Sequence, residues 1–100
     1  MIIITGQARI KTDHRDAALA AAAEMSANSL AEPGCLDYRF WVSASDPDSM
    51  LLLEQWQDQA ALDAHLAAPH LARFVESIWP TLDGGMDVVR HEVADSRPLS

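Results

Sequence analysis

The sequence predicts one α+β domain of four strands and two helical stretches in the order β-α-β-β-α-β. Three observations carry this. Apolar and polar residues alternate near 2–11, 35–44, 50–57 and 86–93; an alanine-rich stretch follows the first of these; and Leu71, Phe74, Val75 and Ile78 recur at i, i+3, i+4, i+7 before the last. One hundred residues is the size of a single domain.

In the first strand Ile2, Ile4, Ala8 and Ile10 share a face opposite Ile3, Thr5, Gln7, Arg9 and Lys11, and Gly6 marks a bulge or a close approach. Thr12 and Asp13 offer an N-cap for a helix running from His14 to about Leu30. Its apolar stripe is read as Leu19, Ala22, Ala23, Ser26 and Leu30. Glu32-Pro33-Gly34 ends that helix. The second strand sets Leu36, Tyr38, Phe40 and Val42 against Cys35, Asp37, Arg39 and Trp41. Residues 45–49 have turn composition. The third strand opposes Leu51, Leu53 and Gln55 to Met50, Leu52, Glu54 and Trp56, and pairs with the second as a hairpin.

Asp58 caps a short helix carrying Leu62, His65 and Leu66 on one face. Pro69 disfavours helix at Ala68 but suits a first turn, so the helix breaks there and restarts near His70. Gly84-Gly85 turns the chain into the fourth strand, with Val89 and Val93 opposed to Val88, Arg90 and Glu92. The domain spans residues 1–94, and 95–100 form a polar tail. The order is the split βαβ arrangement of ferredoxin-like folds, an antiparallel sheet with helices on one side. The other face keeps apolar residues, which a second copy of the chain would cover, so a homodimer is expected.

Composition narrows the function. Apolar residues make up 49% and charged residues 22%, as in globular proteins generally. The formal net charge is −8, and the seven basic residues are scattered. Nucleic acid and anionic membrane are therefore not expected partners, since both require clustered Lys and Arg. No apolar run approaches the ~20 residues that span a bilayer. The N-terminus lacks the basic start and cleavage site of a signal peptide, and Cys35 is the single cysteine. The expectation is a cytoplasmic chain.

Three segments together resemble one family. They are Glu32-Pro33-Gly34-Cys35-Leu36-Asp37-Tyr38, Leu53-Glu54-Gln55-Trp56, and Leu62-Asp63-Ala64-His65-Leu66-Ala67-Ala68-Pro69-His70. In this order and spacing they are similar to the antibiotic biosynthesis monooxygenase domain, most of all its quinol monooxygenase branch, over residues 1–93. The resemblance implies a ferredoxin-like subunit, a dimeric α+β barrel, and a cavity between sheet and helices. It also implies, for some members, oxidation of electron-rich phenols or quinols by O2 without a cofactor. The haem-degrading branch carries an Asn, a Trp and a ligand His where this chain has Gln7, His65 and Val75. Haem is not expected.

Such an oxygenase needs a base, donors for a developing oxyanion, and a dry pocket. His65 and His70 are the base candidates, because an ordinary imidazole is partly neutral at pH 7. His65 reads either as that base or as a core histidine bonded to a carbonyl. His70 reads either as a second catalytic group or as a structural residue at the helix break. On one straight helix the two would point about 140° apart. Two histidines alone make a poor metal site, and no third ligand is spaced to join them, so no metal and no cofactor are expected. Trp56 would wall a substrate or pack the core, Tyr38 would bond a phenolate or pack, and Phe74 would line the pocket from the core. Glu54 would orient a histidine or, as favoured, pair with Arg39 or Arg90 across strands. Cys35 has no basic neighbour in sequence and is read as inert. The expected partners are a small aromatic substrate and O2. An isomerase of a small carbonyl compound using the same histidines, and a non-catalytic ligand-binding dimer, are the alternatives.

Overall fold

A computed structural model describes all 100 residues. The strands are β1 (Ile2–Ile10), β2 (Cys35–Ser43), β3 (Asp46–Trp56) and β4 (Leu82–Glu92), and the helices are α1 (Arg15–Leu30), α2 (Gln59–Leu66) and α3 (Pro69–Ile78). Single 3-10 turns at Thr12–His14 and Trp79–Thr81 lead into α1 and β4. The sheet is antiparallel in the order β2-β3-β1-β4. This is the ferredoxin-like arrangement expected from the element order.

Cross-strand register assigns the two faces. Under the helices run the rows Cys35–Trp56–Ile2–Glu92, Tyr38–Glu54–Ile4–Arg90, Phe40–Leu52–Gly6–Val88 and Val42–Met50–Ala8–Met86. The core lies here, with Ile2, Ile4, Met50, Leu52, Trp56 and Tyr38 all buried. The opposite face carries Asp37–Gln55–Ile3–His91, Arg39–Leu53–Thr5–Val89 and Trp41–Leu51–Gln7–Asp87. No element of the chain covers it.

Five local expectations need correction. The buried stripe of α1 is Ala18, Ala22, Met25 and Ser29, one position from the one read in sequence, and Leu19 and Leu30 are exposed. A run of alanines offers no contrast between faces, so the two leucines misdirect the reading. Neither Thr12 nor Asp13 caps α1. Thr12 instead donates to Asp48 Oδ2 at 2.6 Å and Arg15 donates to Asp48 Oδ1 at 2.6 Å, which ties the start of β3 to the start of the helix. These bonds hold the Asp48 carboxyl below its ordinary range, the Thr12 hydroxyl most of all.

The register of β2 shifts between Cys35 and Asp37. The extra residue, Leu36, is bulged to solvent, and Cys35 moves to the helix side against the core. Finally, Ser43 already pairs with Asp46, so the hairpin loop is shorter than 45–49, and Gly84-Gly85 lies inside β4 rather than before it. Gly85, at φ +78°, lets the Trp79 ring lie against its backbone: a Cβ there would meet Trp79 Cζ2 at 3.1 Å. From Val93 on there is no helix or strand. No helix is long and apolar enough to cross a membrane.

Candidate functional site

The site forms where α1 ends, β3 ends, and the helix layer breaks. After Leu30 the chain turns tightly, with Glu32 N–H donating to Ser29 O (3.0 Å) and Cys35 N–H to Glu32 O (3.2 Å). Gly34 has φ +81°, and a Cβ on it would sit 2.6 Å from the Ala61 Cβ. The missing side chain therefore lets α2 settle directly on this loop. Asp58 caps α2 as expected, its Oδ1 accepting from Ala61 N–H at 2.9 Å. The helix stops at Leu66, Ala68 is extended (ψ 138°), and Pro69 opens α3.

That break brings together what a straight helix would separate. The Glu32 Oε2 oxygen accepts from His65 Nδ1–H at 2.6 Å and from His70 Nε2–H at 3.0 Å. A carboxylate only accepts, so both nitrogens are the donors. In a neutral imidazole this tautomer leaves His65 Nε2 with a free lone pair. The His65 side chain is 2% exposed, and its ring packs at 4.6 Å from Trp56 and 5.4 Å from Tyr38 (centroid distances). Its Nε2 faces Glu54 Oε1 at 3.8 Å.

Glu54 does not pair with Arg39 or Arg90, contrary to the expectation favoured in sequence. Arg39 binds Asp37, and Arg90 binds Gln59 and Glu92. Instead Glu54 Oε1 accepts the Trp56 indole N–H at 2.8 Å. Both lie on the helix side because β3 alternates in step with the sheet face. Burial pushes the Glu54 carboxyl up to about 7, against the downward pull of the indole N–H and with a small upward push from Glu32. A group so tuned exchanges a proton near neutral pH.

A cavity of about 470 Å³ opens beside these groups, between the sheet and α2–α3. Its floor is the row Tyr38–Glu54–Ile4–Arg90, and its walls include Leu62, Phe74, Ile78 and Met86. The lining is mostly apolar, with Glu54, His65, Tyr38, Gln59 and Arg90 as its polar points. Burial, reinforced by Glu54, pushes the Tyr38 hydroxyl well above its ordinary value, so it stays a donor.

Of the residues singled out in sequence, His65, Glu54, Tyr38 and Phe74 reach this cavity. Two do not. Trp56 is fully buried behind Glu54, and its N–H is already engaged there. His70 faces a separate outer cleft of about 120 Å³ with Glu24, Asn28, Arg73 and Ser77. Sequence reading gave no site role to Glu32, although it opens the first of the three family-like segments, nor to Gln59 at the mouth, and took Arg90, also at the mouth, only as a partner for Glu54. Cys35 is half-buried, and burial together with Glu32 and Glu54 raises its thiol to about 11. Glu32, His65 and His70 also bring three donor atoms within 4.8 Å of one another, a third ligand that sequence spacing did not suggest.

Comparison with known proteins identifies the family and agrees with the fold. Residues 1–77 match the family model described as antibiotic biosynthesis monooxygenase. YgiN of Escherichia coli K12, named a probable quinol monooxygenase, is 34% identical over 73 residues, covering 65% of this chain and 70% of its own. YcnE of Bacillus subtilis strain 168 is 28% identical over 95 residues, 95% of this chain and 100% of its own. A crystal structure titled antibiotic biosynthesis monooxygenase superposes with a TM-score of 0.86 at 32% identity, covering 95% of this chain and 100% of that one. The chain belongs to the antibiotic biosynthesis monooxygenase family.

Proposed function

We propose that the protein is a cofactor-independent monooxygenase that oxidises an electron-rich aromatic of phenol or quinol type with O2, His65 acting as general base. One observation carries the reading: a nearly inaccessible imidazole, held at Nδ1 by Glu32 at 2.6 Å, turns its other nitrogen toward a largely apolar cavity. The volume of about 470 Å³ suits a small aromatic.

His65 Nε2 takes the proton of a ring hydroxyl, and Glu32 stabilises the imidazolium that forms. The substrate anion passes one electron to O2, and the radical pair combines at a ring carbon. Once the peroxide is protonated its O–O bond breaks as the same ring carbon loses its hydrogen, so that one oxygen stays as a carbonyl and the other leaves as water. Glu54 and His65, both close to the reacting oxygens, are the proton sources. The Tyr38 hydroxyl donates to the oxyanion while the apolar walls exclude water.

The working unit we propose is a homodimer joined through the uncovered sheet face. Trp41, half exposed, and its neighbour Leu51 support this, with Leu53 and Val89 in the adjacent row. We place the protein in the cytoplasm.

The test is oxygen uptake by metal- and flavin-free protein with a panel of dihydroxylated aromatics, alongside His65→Ala. Uptake above autoxidation that the substitution removes supports the reading. Uptake that survives it rejects His65 as base, and no uptake across the panel rejects the oxygenase.

A further inference from the structure

We propose that Glu32, His65 and His70 form a binding site for one divalent transition-metal ion of the zinc type, and that filling it switches off the base in the cavity. The donor set comes first. Two imidazole nitrogens and one carboxylate oxygen, on α2, α3 and the loop after α1, lie within 4.8 Å of one another. Nitrogen donors favour Zn²⁺, Co²⁺ or Ni²⁺ over Mg²⁺ or Ca²⁺, which take oxygen.

The geometry needs a moderate adjustment: the donor atoms, now within 4.8 Å of one another, draw in to the spacing of a coordination shell, the two imidazole nitrogens closing while the contacts to Glu32 open. Donors on a tetrahedral ion with bonds near 2.0–2.2 Å stand about 3.3 Å apart. The His70 contact, at 3.0 Å, has only a few tenths of an ångström to open, and the His65 contact, at 2.6 Å, somewhat more. Glu32 and His70 have the freedom to do this, being 15% and 16% exposed, while His65 is clamped between aromatic rings. The outer cleft that His70 lines is the entry path; Glu24 there attracts a cation and Arg73 opposes it.

Glu54 supplies an independent argument. A histidine that ligates through Nδ1 carries its proton on Nε2, and metal-bound histidines give that proton to an acceptor such as a carboxylate, a backbone carbonyl or water. Glu54 Oε1 already stands 3.8 Å from His65 Nε2. Metal binding thus moves the His65 proton from Nδ1, where it faces Glu32, to Nε2, where it faces Glu54 and the cavity. The lone pair that would accept a substrate proton is lost. The binding claim stands by itself; the switch rests on the oxygenase reading.

Equilibrium dialysis of EDTA-treated full chain against micromolar ZnCl2 tests the site. We expect one ion per chain, and at least a tenfold weaker affinity in Glu32→Gln and in His70→Ala. A control lacking the exposed histidines, His14→Ala with His91→Ala, binds as wild type. Independently of any variant, ¹⁵N resonances of His65 Nδ1 and His70 Nε2 shift on adding Zn²⁺ to the wild-type protein. No binding at micromolar zinc overturns the proposal, as does loss in the surface control or unmoved His65 and His70 resonances. In the oxygen-uptake assay zinc suppresses wild-type turnover. Full uptake in zinc-loaded protein overturns the switch, whereas no uptake with or without zinc counts against the oxygenase and leaves the site standing.

Discussion

The two faces of the sheet are built from the same four strands, residue by residue in alternation, yet they do different things. Met50 is 2% exposed under the helices, and its neighbour Leu51 is 36% exposed on the open side. On the covered face most positions are apolar; of the polar ones, Asp48 ties β3 to α1, Glu92 lies at the end of β4, and Glu54 beneath His65 and Arg90 at the mouth mark the cavity. On the open face polar and apolar residues are mixed, and no single position is buried deeply. A polar residue is therefore informative only where the pleat makes its burial costly. Glu54 stands out for that reason, and Gln55 beside it does not.

The sharpest way to break this contrast is at the one imidazole that the covered face encloses. His65→Ala is expected to lower oxygen uptake at least about 100-fold, the ordinary contribution of a positioned base. Next, Met50→Ala should destabilise the fold by about 2–5 kcal/mol in urea titration, as deletion of a buried side chain does. A smaller, pH-dependent effect belongs to Glu54. Its carboxyl is raised in the folded state to about 7 from an ordinary 4.5, so folding favours the protonated form. Wild-type stability then falls as pH rises from about 4.5 to 7 and levels off above. Glu54→Gln, which keeps an acceptor for Trp56 and does not titrate, should be more stable than wild type by up to about 3 kcal/mol at pH 8. The difference should vanish near pH 4, and thermal melts across that range read it. The smallest change in subunit stability is on the open face. Trp41→Ser with Leu51→Ser should alter the stability of the isolated subunit by about 0.5 kcal/mol or less. The same pair should convert a sedimenting dimer to monomer at micromolar concentration, and a wild-type protein that sediments only as monomer would sink the dimer.

Element order and strand faces were legible because alternation is a strong signal where large and polar residues take turns, as from Met50 to Trp56. The α1 face was not, because Ala17 to Ala23 differ too little in size for periodicity to register. Nor was the bulge at Leu36, since one inserted residue reverses the parity of everything before it and leaves the composition unchanged. At the site, His65 was legible from its place among leucines. Its partner was not: Glu32 lies 33 residues away, in a loop whose composition reads as a helix end. The convergence of His70 depended on the angle at Ala68, which a proline announces without specifying.

The contact between Gly34 and Ala61 carries a consequence for how this protein tolerates change. Backbone meets a methyl group there with no room between, so the distance between the Glu32 loop and the His65 helix is fixed by their backbones, and the side chains adjust only within that frame. A saturation library at position 61 should retain only Gly, Ala and Ser among folded, active clones, whereas Ala60 and Ala64, exposed on the same helix, should accept nearly any residue that helices accept. Among descendants of this sequence, the plain alanine at position 61 would vary as little as the histidine it supports.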